Sequence, residues 1–178
     1  EEGNDFLPWY QELHNENTDM VGWLQIEGTK INYPVMQTTE DNANFYLYKD
    51  FDKKQSVRGS IYAAEICDVF EPSDNITLFG HNMKDGTMFG RLTQYEKSID
   101  YLKAHPFVDF STLWHQERYV IFAVVDVSLD TSSENFLDYF AHPRFSSDAE
   151  FASYIRRAEL ASMYAIPMDV KPVSYTHL

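Results

Sequence analysis

Cys67 is the only cysteine in the 178-residue chain. One thiol excludes an intrachain disulfide framework and any cysteine-rich zinc site. It fits a cytosolic protein and equally a secreted one that avoids disulfides, so composition leaves the compartment open. Positive charge is also scarce: 14 Lys and Arg stand against 28 Asp and Glu, a net charge of −14. No basic patch forms, and binding nucleic acid needs one, so nucleic acid is excluded as a partner. No apolar run approaches the roughly 20 residues that span a bilayer. The six histidines, His14, His81, His105, His115, His142 and His177, never fall three to five residues apart. That spacing rules out a His-Glu-x-x-His zinc helix. Asp41, Asp50 and Asp52 lack the alternating acidic pattern of a calcium loop. No metal and no cofactor is expected.

The chain is nevertheless rich in core-forming residues. Hydrophobic content is 44%, with 13 Phe and 12 Tyr, which excludes a disordered chain. The length suits one domain over 1–178. Within it, 1–18 forms an N-terminal helical segment, and a helix is expected over 5–15. Asp5 would cap it, Pro8 sits in its first turn, and Phe6, Trp9, Tyr10 and Leu13 line one side. Strands are expected at 21–26 and 31–36 around a turn at Glu27-Gly28-Thr29-Lys30. Pro34 has no N–H to give a ladder, which places the second strand at an edge or a bulge.

A helical turn and loop should fill 41–52. Strands at 59–64 and 75–79 would then pair across a loop containing Pro72. The spacing of Phe89, Leu92, Tyr95, Ile99 and Leu102 predicts a helix over 87–102. Strands follow at 106–110 and 117–129, the second apolar enough to cross a core. Ser147 opens a last helix, with Phe151, Tyr154, Ile155, Ala158 and Ala161 on one face. Mostly strands with a few helices reads as a mainly β (α+β) barrel or sandwich with helical insertions.

Residues 75–90 hold the chemistry. An apolar run ends in Gly80-His81-Asn82, and Asp85-Gly86 makes a polar turn. A histidine closing a strand is held rigidly and can still face a cleft, where it is suited to move protons near neutrality. A satisfied structural histidine fits the same residues. Cys67 is the obvious nucleophile to seek beside it. If 59–64 and 75–79 are a hairpin, however, Cys67 lies in the connecting loop and His81 beyond the far end of the return. That separates them by roughly 15–20 Å at ~3.3 Å per residue, where a hydrogen bond needs about 3 Å. The pair is rejected, and Cys67 reads as a half-buried packing residue.

The run from Thr77 through Gly80-His81-Asn82 and Asp85-Gly86-Thr87 to Phe89 resembles the catalytic-histidine segment of class B sortases. Val21-Gly22-Trp23-Leu24-Gln25-Ile26, Ile31-Asn32-Tyr33-Pro34-Val35-Met36-Gln37, Phe45-Tyr46-Leu47 and Gly59-Ser60-Ile61-Tyr62 agree in order and spacing. The helix over 147–164 is similar to the long helix that class B members insert before their last strands. The resemblance covers about 5–171. It implies a sortase-like β-barrel and a cysteine transpeptidase on the outer face of a Gram-positive cell. Such an enzyme cuts a sorting signal in a surface protein, holds a thioacyl intermediate and passes it to a cell-wall peptidoglycan or pilin amine.

His81 matches the family histidine that protonates the leaving amine. Asn44 and Leu47 match groove-lining positions, with Asn42 as the alternative to Asn44, and Tyr164 and Ile166 match positions bordering the substrate cleft. The family's nucleophile closes a Thr-Leu-x-Thr-Cys strand after the inserted helix, and its oxyanion arginine lies on the next strand. Here no Cys follows Cys67 and no Arg follows Arg157, and the tail 173–178 does not match. The expectation is therefore a chain cut before its last strands and inactive by itself. A second reading is a non-catalytic module that keeps the groove and binds peptides or partners. The start at Glu1 rather than Met raises a further expectation, of a removed upstream segment carrying the membrane anchor.

Overall fold

The structure is a computed structural model, and it describes residues 8–113, 115–128, 130–132, 136–139 and 142–166. The proposed Asp5 cap, Phe6 and the tail 173–178 lie outside these residues. Helix α1 (Pro8–Glu16) leads into β1 (Met20–Gln25), which turns back as β2 (Asn32–Met36). Gly28 makes that turn at φ 76, a backbone region open to glycine at no steric cost. β3 (Ile61–Ala63), β4 (Leu78–Phe79), β5 (Phe107–Thr112) and β6 (Gln116–Val120) complete one sheet of order β4-β3-β2-β1-β5-β6. All pairings are antiparallel except β2 with β3. The mainly β architecture with helical additions is the one expected.

Strand alternation divides the side chains between two cores. Leu24, Val35, Ile61 and Phe110 belong to the first. Met36 and Tyr62, one position along, belong to a second with Tyr10, Met20, Tyr46 and Leu113. α1 and a single 3-10 turn, Phe45–Leu47, contribute Tyr10 and Tyr46 to that second core. Tyr46 is 1% exposed, so its hydroxyl must find partners inside. It donates to Asp19 Oδ2 at 2.9 Å and accepts from Asn17 Nδ2 at 2.9 Å. Asn17 Nδ2 also reaches the Phe51 carbonyl at 2.7 Å. This network fastens the 45–47 turn to the corner between α1 and β1.

Three expectations need correction. β2 is an internal strand, not an edge. The bulge in its ladder with β1 falls between Met20 and Gly22, opposite Met36 and Val35 and not at Pro34. The pairing of β2 with β3, however, covers only Val35 and Met36, so Pro34 faces β1 alone and its missing N–H is not called on. The helix expected over 87–102 is broken into a 3-10 turn (Phe89–Arg91), α2 (Thr93–Lys97) and α3 (Ile99–Ala104). Ser98 causes the second break. It is extended at φ −154, ψ 120, and its hydroxyl accepts from the Asp100 and Tyr101 N–H groups; a serine that can cap competes with helix continuation. The strand expected over 117–129 ends at Val120. β6 is exposed at every position, and 121–127 make no ladder, so β-branched, apolar composition overstated the paired length.

α4 (Asp148–Ala161) begins as expected, with Ser147 Oγ accepting from the Glu150 N–H. Tyr154 and Ala158 are its buried residues, and Phe145 packs on Phe151 and Tyr154 at ring distances of 5.1 and 5.2 Å.

Tyr46→Phe tests the buried network. It leaves Asp19 and Asn17 each short of one partner, and the expected loss is about 1–3 kcal/mol of unfolding free energy, measured by urea denaturation.

Candidate functional site

His81 stands two residues past Phe79, on the sheet face of Tyr62, with which Phe79 pairs. The chain continues as a closed loop. The His81 carbonyl accepts from the Phe89 N–H at 2.9 Å, and Asn82 bridges to Met88. Inside the loop Asp85 Oδ1 accepts from both the N–H and the hydroxyl of Thr87, at 3.0 and 2.6 Å. Those bonds hold the Asp85 carboxyl below the usual carboxylate range, with Arg58 adding to the effect. Arg58 reaches Asp85 Oδ2 at 2.8 Å. Met88 closes the loop at φ 50, a strained backbone for a residue with a side chain, and its N–H donates to the Tyr33 hydroxyl at 3.0 Å.

The imidazole is anchored by main chain. Nε2 lies 2.7 Å from the Leu47 carbonyl. A carbonyl can only accept, so Nε2 carries the proton in this contact and Nδ1 is the atom left for other partners. The Tyr48 ring packs beside it at 5.3 Å. The acceptor itself is fixed by its neighbours: the Tyr46 carbonyl takes the Ser60 N–H and the Tyr48 carbonyl the Ser56 N–H, each at 2.9 Å. Gly59 sits against this segment at φ +58, and a Cβ there would collide with the Leu47 carbonyl and lie 2.7 Å from that of Tyr46.

Asn44 precedes the same turn and is exposed. Its Oδ1 accepts from the Tyr62 hydroxyl at 3.2 Å. Burial, with Glu65 adding, pushes Tyr62 ionisation above its ordinary 10.0, so the hydroxyl stays a donor. Asn44 thereby turns its acceptor to the protein, and among the described residues its Nδ2 has no protein acceptor. Asn42, the alternative, is exposed, and its carbonyl takes the Thr38 hydroxyl at 2.7 Å.

The structure thus brings His81, Leu47 and Asn44 together around the 45–47 turn. Tyr164 and Ile166 are elsewhere in the contact network. The Tyr164 hydroxyl donates to the Glu96 carbonyl at 3.0 Å, and Ile166 is half-buried. No described contact joins either of them to His81. Sequence reasoning missed the Leu47 carbonyl, Tyr62 and Tyr48. Gly59 was the available signal, since a glycine before a buried strand marks a close backbone approach.

Cys67 is 4% exposed and satisfied by backbone. Its thiol donates to the Asn75 carbonyl, and its sulfur accepts from the Thr77 N–H, both at 3.4 Å. Burial pushes the thiol up from 9.0. Among the described residues no group of three His, Cys, Asp or Glu is placed to hold a metal ion, and no helix is long and apolar enough to cross a membrane.

No protein-family model matches the chain. It is 32% identical over 161 residues to sortase B of Listeria monocytogenes, a match covering 90% of this chain and 61% of that protein. The chain spans about three fifths of the length of the curated relatives it matches. A solved structure of a Bacillus anthracis protein described as similar to sortase B superposes with a TM-score of 0.83 at 27% identity, over 96% of this chain and 75% of the other. The structure of Listeria monocytogenes sortase B is 30% identical, with a TM-score of 0.77 over 91% of this chain and 87% of that one. Sequence and fold agree: this chain belongs to the class B sortase family.

Proposed function

We propose that these residues are the histidine-bearing part of a class B sortase-type cysteine transpeptidase, one that cleaves a sorting signal in a surface protein and joins it to a cell-wall or pilin amine. The observation that carries the reading is the placement of His81. Its Nε2 is tied to the Leu47 carbonyl at 2.7 Å, which orients the ring and leaves Nδ1 to exchange a proton with the leaving or entering amine. Asn44 offers its Nδ2 to a peptide carbonyl beside the histidine, and Leu47 gives the groove an apolar side chain. Tyr164 and Ile166 are assigned to the cleft border by resemblance alone. The enzyme would work at the outer face of the cell membrane, held by an N-terminal anchor.

Nucleophilic attack needs a thiolate. Cys67 is buried, hydrogen-bonded to backbone and held in its neutral form. It does not serve as the nucleophile, and the 178 residues by themselves are expected to be inactive. Incubation with a sorting-signal peptide and an amine acceptor should yield no ligated product by mass spectrometry. Product that disappears when Cys67 is replaced by Ala overturns this assignment. The peptide-binding reading is checked in the same samples: binding at the groove shifts the His81 ring resonances on titration, and unshifted resonances sink it.

The raised thiol pKa also has a definite consequence for stability. A folded-state value above the unfolded one contributes stability that is fully present below the unfolded value and lost as pH rises through the folded one. Thiolate absorbance of the native chain should therefore appear at higher pH than that of the unfolded chain. Wild-type stability should fall relative to Cys67→Ala as pH rises from the unfolded thiol's value toward the folded one, measured by chemical denaturation. Thiolate absorbance of the folded chain near neutral pH contradicts the placement.

A further inference from the structure

Beyond the histidine site, the same sheet face carries a concavity over β1, β5 and β6, a cleft of about 300 Å³ that shares Gln25, Asp109, Ser111 and Gln116 with a neighbouring one of about 380 Å³. Strand register builds its floor. Trp23 pairs with Ser111 and Ser111 with Gln116 in one row; Gln25 pairs with Asp109 and Asp109 with Arg118 in the next. Trp9 of α1 forms the wall. Its indole stacks on Tyr10 at 3.8 Å and meets Trp23 edge-on at 5.4 Å and 80°. The two indoles therefore make a corner, their planes nearly at right angles.

That corner is rigid. Tyr10 is fully buried, and Trp23 Nε1 donates to Asn32 Oδ1 at 2.6 Å, so neither Trp9's support nor the Trp23 ring turns freely. Trp9 remains 47% exposed. Beside the corner, the side-chain amides of Gln25 and Gln116 have no hydrogen-bond partner among the described residues. At the corner charge is cancelled: Arg118 grips Asp109 through two bonds, at 2.6 and 2.9 Å, while Glu117 lines the neighbouring concavity.

We propose that this cleft binds an uncharged saccharide. An aromatic face is electron-rich and takes the slightly positive C–H face of a pyranose ring. The ring's equatorial hydroxyl or acetamido groups then reach both donors and acceptors, which Gln25 and Gln116 each supply. Small-molecule sites combine an apolar surface with a few convergent polar groups in this way. An anionic ligand finds no free cation, because Arg118 is held by Asp109, and at the indole corner the paired Asp109 is the one carboxylate in the lining. At the indole corner an extended peptide finds no ladder, because β1 and β5 are each paired on both sides; the open edge of β6 lies two strands away from Trp23.

The experiment is a titration of the 178-residue chain, labelled at tryptophan indole nitrogen, with chitotriose and with maltotriose. Saturable shifts of the Trp9 and Trp23 indole N–H signals with at least one sugar are expected. Trp9→Ala and, separately, Gln116→Ala should each weaken that binding about tenfold or more. Gln116 is exposed on an edge strand, so its variant reports binding without threatening the fold. Absence of shifts with both sugars overturns the proposal, as does binding unchanged in both variants. Shifts of the same signals on changing protein concentration without sugar assign the cleft to a second copy of the chain and also overturn it. None of these outcomes depends on the peptide chemistry proposed for His81.

Discussion

The parallel contact between β2 and β3 is two residues long, and it positions the histidine. Val35 opposite Ile61 and Met36 opposite Tyr62 are its whole extent. Everything from β3 to the His81 loop joins the sheet through it. Alternation sends the first pair into one core and the second into the other, so a short ladder is clamped from both faces by burial. A slip of one residue would exchange the two sets and empty both cores. The register that places Phe79, and two residues later His81, is therefore fixed by packing and not by the number of ladder hydrogen bonds.

From that point the site is assembled around backbone. The second core pins Tyr46 through Asn17 and Asp19, the 3-10 turn follows, and the turn's Leu47 carbonyl meets His81. Asn44 and Tyr62 are attached to the same turn. Cys67 is buried and bonded to the backbone of Asn75 and Thr77, and it ties the 65–77 loop together without taking part in this arrangement. The cleft between Trp9 and β6 uses the opposite end of the same sheet face. One layer, the second core, thus supports both the histidine and the cleft.

Much of this was legible before any coordinates. The β1–β2 hairpin announces itself through a tight turn at Gly28, and α4 through its Ser147 cap and apolar stripe. His81 stands out at the end of an apolar run, and its place after β4 is as the run implies. What escaped reading had physical causes. Ser98 is one polar residue in a good helical pattern, and only its extended backbone shows that capping won over continuation. The apolar stretch after Val120 has strand composition but no pairing strand among the described residues. The acceptor for His81 was illegible because every residue carries the same carbonyl, and only the fold decides which one meets the ring.

That last point bears on how the site tolerates change. A side-chain acceptor can be deleted by a single substitution at its own position, whereas the Leu47 carbonyl survives any residue placed there. Variation at 47 can therefore change the side chain beside the histidine while the ring keeps its anchor. The vulnerability is displaced onto residues that never touch the imidazole: Gly59, where any side chain would press on that carbonyl, and Tyr46, whose buried hydroxyl holds the turn. In this architecture the positions that guard the histidine and the positions free to diversify around it are different, even when they are adjacent in the chain.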